Sequence, residues 1–183
     1  MSSYAASTES SNLTVDHSKD LKFLRFELDG EYYGLDILKI REINGMMEIT
    51  SVPQTPQFMK GLINLRGKVI PVIDLRLKFG LPEQPYTERS SIIVIEFKTI
   101  LGSTQMGIVV DRVSEVITIN QADIVPAPDF GTKLKSEYIK GMAKTKLQVL
   151  IILDIDLILT DEELTFGPRE LNIEPQEAET EQS

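Results

Sequence analysis

A chain of 183 residues with no cysteine has room for one large domain or two small ones, and it excludes disulfides, zinc–thiolate sites and thiol nucleophiles. The net charge is −9, of which −2 falls in residues 1–20 and −4 in residues 167–183, so the middle is near neutral and lacks the basic stripe that nucleic acid requires. No apolar run approaches the roughly 20 residues that span a bilayer, and the first 20 residues lack the basic start and apolar stretch of a signal peptide.

Residues 1–20 are rich in Ser and Thr and cannot bury enough apolar surface to offset the entropy of ordering, so disorder is expected there. Leu24, Phe26 and Leu28 alternate with Arg25 and Glu27, the period of a half-buried strand. Asp29-Gly30 is a hairpin turn, with residues 31–35 as the return strand. Asp36 is placed to cap a short helix running to Arg41, and Pro53 and Pro56 bracket an irregular stretch. Strands are expected at 62–65 and 68–73, joined at Arg66-Gly67, before a short helix over 75–79 capped by Asp74. Residues 91–97 and 105–110 read as a second hairpin with Gly102 in its turn, followed by strands at 116–119 and 146–153. Asp154 caps another short helix, and residues 160–163 look like the start of a last helical turn. The acidic tail 167–183 is expected to be disordered and to serve solubility.

The chain repeats itself. Lys60 onward reads KGLINLRGKVIPVIDL and Lys140 onward reads KGMAKTKLQVLIILDI, so Lys60, Gly61, Val69 and Asp74 recur as Lys140, Gly141, Val149 and Asp154 at an offset of 80. Tyr33-Gly34-Leu35 recurs as Met106-Gly107-Ile108 at an offset of 73, which leaves an insertion between Glu115 and Lys140. A feature present in both copies is the better structural candidate, and one present in a single copy is the better functional candidate. The fold class is all-β with short helices: two five-strand modules, the first mainly 36–85 and the second mainly 91–155, within a folded region 21–166, with terminal strands and helices open to exchange.

Little catalytic chemistry is on offer. The single histidine, His17, lies in the segment expected to be disordered, and a catalytic histidine needs a rigid shell. No phosphate loop occurs. Asp74 and Asp154 each follow an apolar strand, but their equivalence in the repeat favours helix caps over a two-carboxylate site. Asp36 and Asp111 read as turn or cap residues. Neither enzymatic activity, nor a metal, nor a cofactor is expected.

Four stretches, in order, resemble the chemotaxis coupling proteins, the CheW family: YGLDILKIREI from Tyr33, KGLINLRGKVIPVIDLR from Lys60, GIVVDRV from Gly107 and PAPDF from Pro126. Together they span about 23–164. The resemblance implies two intertwined five-stranded SH3-like β-barrels and a non-enzymatic cytoplasmic adaptor. Such an adaptor links the tips of methyl-accepting chemoreceptors to the regulatory domain of a histidine kinase, in two-component signalling arrays at the membrane into which it is recruited and not inserted.

Carried onto this sequence, the resemblance implies a receptor groove between the barrels at Ile40, Glu42, Ile43, Arg66, Ile92, Gly107 and Val116, and a kinase surface that includes Val125 and Phe130. Ile40 and Ile43, three apart, would share one side of a helical turn or else simply be core. Glu42 and Arg66 could pair at the groove edge or remain two solvated charges. Glu42 recurs as Glu115, whereas Arg66-Gly67 becomes Lys146-Leu147, so Arg66 is the better single-copy candidate. Phe130 is either an interface anchor or a structural staple. Val125 stands where some relatives carry a basic residue, which leaves charge pairing at that surface open. The alternatives are a kinase regulatory domain of the same architecture, against which the lack of flanking dimerisation helices, ATP motifs or a receiver domain is set, an SH3-like module for another peptide, and an enzyme.

Overall fold

The structure, a computed structural model, describes residues 19–99, 102–128, 136–146 and 148–159. The alternation in the first apolar segment becomes strand β1 (Asp20–Leu28), and the Asp29-Gly30 turn, with both residues at positive φ, folds β2 (Glu31–Asp36) back on it. Two left-handed turn residues match the natural twist of a hairpin. Asp36 accepts a hydrogen bond from the Leu38 N–H at 2.9 Å, as a cap should, but the turn it caps is only the 3-10 segment Ile37–Lys39. The expected helix to Arg41 does not form. Strand β3 (Ile40–Gly45) begins at once, because its β-branched residues find a partner strand, and pairing outweighs a local capping signal.

Strands β4 (Met59–Leu65) and β5 (Lys68–Asp74) meet at Arg66-Gly67, with φ of 52° and 82°, and Asn64 Oδ1 accepts from the Gly67 N–H at 2.8 Å. Helix α1 (Leu75–Lys78) follows, then β6 (Ser91–Thr99), β7 (Gly102–Val110) and β8 (Arg112–Asn120). The 3-10 turn Gln121–Asp123 leads to the two-residue β9 (Ile124–Val125), and β10 (Ile139–Lys144), β11 (Val149–Leu153) and helix α2 (Ile155–Ile158) complete the second copy. Both repeat carboxylates are caps: Asp74 accepts from the Leu77 N–H at 3.3 Å and Asp154 from the Asp156 N–H at 3.1 Å. Asp111 is not a cap. The helical turn expected at 160–163, the acidic tail, residues 1–18 and with them His17 lie outside the described residues, whereas Asp20, placed by the sequence in a disordered end, opens β1 opposite Asn120, because β8 offers it a partner strand.

The strands form two sheets, one in the order β8-β1-β2-β11-β10-β9 and one in the order β3-β6-β7-β5-β4. The expected division into 36–85 and 91–155 therefore needs correction, because β6 and β7 join the first copy's β3–β5, while β1 and β2 join the second copy's strands. The cause is a pair of crossed parallel pairings: β2 lies beside β11 with Gly34 opposite Ile152, and β7 lies beside β5 with Gly107 opposite Val72. These are equivalent registers in the repeat, so each copy donates a hairpin to the other copy's sheet. Each sheet also curls. The edges β8 and β9 of one are joined by three residues, and in the other Thr50, just beyond β3, exchanges two 2.8 Å backbone hydrogen bonds with Leu62 of β4.

Three cores result. One is shared by both sheets and includes Phe26, Leu28, Tyr33, Ile73, Ile93, Ile95 and Ile108. Each sheet also has its own: Ile63, Ile70 and Val72 inside one, and their equivalents Ala143, Leu150 and Ile152 inside the other. The crossings are clamped by charge. Arg76 of α1, with a side chain only 4% exposed, pairs with Asp111 at 2.6 Å and with Asp29 at 2.9 Å, which ties one sheet to the hairpin turn of the other. At the equivalent station of α2, Asp156 pairs with Lys39 at 2.7 Å.

Gly61, in a bulge of β4, has φ of +142°, and a Cβ there would lie 2.0 Å from the Thr50 carbonyl oxygen that closes the sheet. Gly67, at φ +82°, has open space. Denaturant unfolding of the single variants is expected to show Gly61→Ala losing about 3 kcal/mol or more and Gly67→Ala only about 1–2 kcal/mol.

Candidate functional site

The two sheets expose equivalent edges. β3 bounds one sheet and β8 the other. On β3 a register shift between Ile40 and Glu42 makes Arg41 the extra residue, so Ile40 stands opposite Ile95 and Ile43 opposite Ile93. Ile95 and Ile93 are two apart on β6 and so face the same way, into the shared core. Ile40 and Ile43 do share a side, but through a bulge in a strand and not through a helical turn. On β8, Val113 stands opposite Phe26 and Val116 opposite Leu24, and both partners belong to the same core.

The repeat offset of 73 maps Ile40 onto Val113 and Ile43 onto Val116. Ile40 and Val113 are half-buried against the shared core, while Ile43 is 46% and Val116 54% exposed. The shared core thus reaches solvent at two equivalent apolar margins, one on each edge strand. Val113 is absent from the residues expected from sequence, although applying the offset to Ile40 would have found it.

Glu42 belongs to the opposite face of β3, where it stands beside Val94. Its carboxylate takes both Arg66 guanidinium nitrogens, at 2.6 and 2.9 Å, in a bidentate pair that bridges the edge strand to the β4–β5 turn. The Arg66 hydrogen bonds hold the Glu42 carboxyl below the usual glutamate range. In the other sheet the equivalent Glu115 pairs instead with Arg25 of the neighbouring strand, at 3.0 Å. Among the described residues Lys146, the counterpart of Arg66, has no acidic partner.

Two expected contact residues are buried. Ile92 is fully enclosed on β6, and a Cβ on Gly107 would lie 2.9 Å from Ile92 Cγ2 and 3.1 Å from Val72 Cγ2. Both sit beneath the surface, where they set the packing of β5, β6 and β7, and neither residue is exposed to a partner. Val125 on β9 is more than half exposed, opposite Met142. Phe130 lies outside the described residues. Tyr86 donates a 2.9 Å hydrogen bond to Asp74, and burial, followed by the Asp74 charge, raises its pKa far above the ordinary tyrosine value. It therefore stays a neutral donor that holds the cap of α1 in place. Among the described residues no group of His, Cys, Asp and Glu could hold a metal ion.

This arrangement acts by presenting faces at a fixed spacing; it is that of a docking protein, a scaffold. A CheW-like domain model matches residues 22–163. The chemotaxis protein CheW of Klebsiella aerogenes is 43% identical over 145 residues, covering 79% of this chain and 85% of that protein. The CheW of Thermotoga maritima is 37% identical over 154 residues, covering 82% and 94%. The crystal structure of the scaffolding protein TtCheW from Thermoanaerobacter tengcongensis matches with a TM-score of 0.69 at 36% identity, over 78% of this chain and 94% of that one. The chain belongs to the CheW-like family of chemotaxis scaffolds, and it is not an enzyme.

The sign of the Glu42 shift fixes a pH dependence. A carboxyl whose folded pKa is depressed adds stability that is complete above its unfolded pKa, near 4.3, and is lost as pH falls through the lower folded value. An NMR titration of the Glu42 carboxyl carbon is expected to give a midpoint below the free glutamate value, and Arg66→Ala is expected to raise it.

Proposed function

We propose that this protein couples the cytoplasmic tips of chemoreceptors to the regulatory domain of a chemotaxis histidine kinase, at membrane-associated arrays, and so transmits receptor state to kinase activity. Family membership supports the class of function. The observation that supports the coupling role is the pair of apolar margins on β3 and β8, because Ile43 and Val116 leave large aliphatic groups in water at equivalent positions of two sheet edges. None of the described helices is long and apolar enough to cross a membrane, so on this reading a receptor brings the adaptor to the bilayer.

In this reading the receptor meets Ile40, Ile43 and Val116 as apolar anchors, with Glu42 and Arg66 as the polar rim. Ile92 and Gly107 act from below by fixing the sheet that carries β3. Val125 and Phe130 belong to the kinase surface. An adaptor transmits a signal only where its contacts differ between receptor states, so coupling requires that one state grip these margins better than another.

Binding of a receptor cytoplasmic fragment, measured beside thermal unfolding, tests the receptor face. Ile43→Ser combined with Val116→Ser is expected to weaken binding about thirtyfold or more, at roughly 1–2 kcal/mol per anchor. Arg66→Glu is expected to weaken receptor binding and array coupling while the thermal midpoint stays within a few degrees. Unchanged affinity in both variants would remove the receptor from this face. Phe130→Ser is expected to disturb extended arrays more than one-to-one kinase binding, and equal loss in both assays would refute its place on the kinase surface.

A further inference from the structure

The equivalent gaps of the two sheets are closed differently. In one, the Glu42–Arg66 pair bridges the edge strand to the hairpin tip. In the other, Glu115 is taken by Arg25, and a groove of about 480 Å³ stays open between β8 and the β10–β11 turn. Its floor is apolar, formed by Ile117 and Ile119, and its far wall carries Lys144 and Lys146, which have no acidic partner among the described residues. The Arg25 Nε is buried there without an acceptor. Along this groove β8 pairs only with β1, so its outer backbone groups form a free edge of nine residues among the described ones.

We infer that this groove takes the chain's own segment 170–174, added as a strand along the free edge of β8. Glu170-Leu171-Asn172-Ile173-Glu174 alternates apolar and polar residues with the two-residue period of a strand. Leu171 and Ile173 then face Ile117 and Ile119, and Glu170 and Glu174 meet Lys144 and Lys146. Backbone pairing provides affinity and alternate side chains provide register, as in strand addition generally. Residues 160–183 carry a net charge of −7, whereas the groove offers Lys144 and Lys146 against Asp123 at its end, Arg25 and Glu115 being paired with each other. The 11 residues from Leu159 to Glu170 can span up to about 35 Å when extended. This inference does not rest on the receptor and kinase reading, although the added strand runs past Val116 on the same edge.

The absence of cysteine allows a direct test in the full chain. A nitroxide on Asn172→Cys is expected to broaden the amide signals of residues 115–119 and 144–146 beyond detection and to leave the β4–β5 turn sharp. The broadening is expected to vanish in K144E/K146E, to return when E170K/E174K is added, and to vanish in L171S/I173S. Sharp signals at 115–119, or broadening that K144E/K146E leaves intact, would overturn the assignment. So would broadening in a mixture of nitroxide-bearing chains and isotope-labelled chains without nitroxide, since that places the segment on a second copy.

Discussion

Two parallel strand pairs, β2 with β11 and β7 with β5, hold the rest of the molecule in place. Parallel neighbours cannot be joined by a tight turn, so each pairing brings together segments far apart in the chain. Here that distance spans the repeat: the first copy's hairpin completes the second copy's sheet, and the reverse. Both pairings run through a glycine. A Cβ on Gly34 would lie 2.8 Å from Leu150 Cδ2, and one on Gly107 would meet Ile92 and Val72. Neither copy can form its sheet alone, and the shared core exists because both sheets must be built around the same crossing.

This frame explains why the docking edges come as a pair. An exchanged duplication relates β3 to β8 in register, so the apolar margin at Ile40 and Ile43 is matched by Val113 and Val116. The copies have diverged in charge. Arg76 at one crossing is a buried cation between two carboxylates, and its counterpart Asp156 is an exposed anion on Lys39. Removing the partner of a buried charge is costly, whereas exposed pairs contribute little, so the crossing at α1 is the more firmly held. One architecture thus yields two edges with similar apolar character and different polar surroundings, which lets a scaffold distinguish its partners.

Much of this was legible in the residues, and the parts that were not share a cause. The turns at Asp29-Gly30 and Arg66-Gly67, the caps Asp74 and Asp154 and the all-β class follow from local chemistry, and each is present. Residues 36–45 misled because Asp36 is a real cap on a three-residue turn, and a bulge at Arg41 gives Ile40 and Ile43 the common face that a helix would also give. The division of the copies between sheets depends on parallel pairing, which leaves no turn signature. The burial of Ile92 and Gly107 depends on what the neighbouring strands place over them. Asp111 does sit at the bend between β7 and β8, but its pairing with Arg76, 35 positions away, left no local signature.

The crossing also bears on how such a scaffold can respond. The shared core is continuous from one margin to the other, so neither edge can shift without repacking side chains such as Phe26 and Ile93 that belong to both sheets. A partner that touches one margin reads only that edge. A partner that touches both spends part of its binding free energy on the angle between the sheets, and its affinity then depends on how well that angle is already set. The Arg76 clamp and the two glycine-lined pairings keep the angle narrow, so differences in grip must come chiefly from the partner. That is the division of labour expected of a scaffold: the adaptor holds its surfaces still, and the proteins bound to it change state.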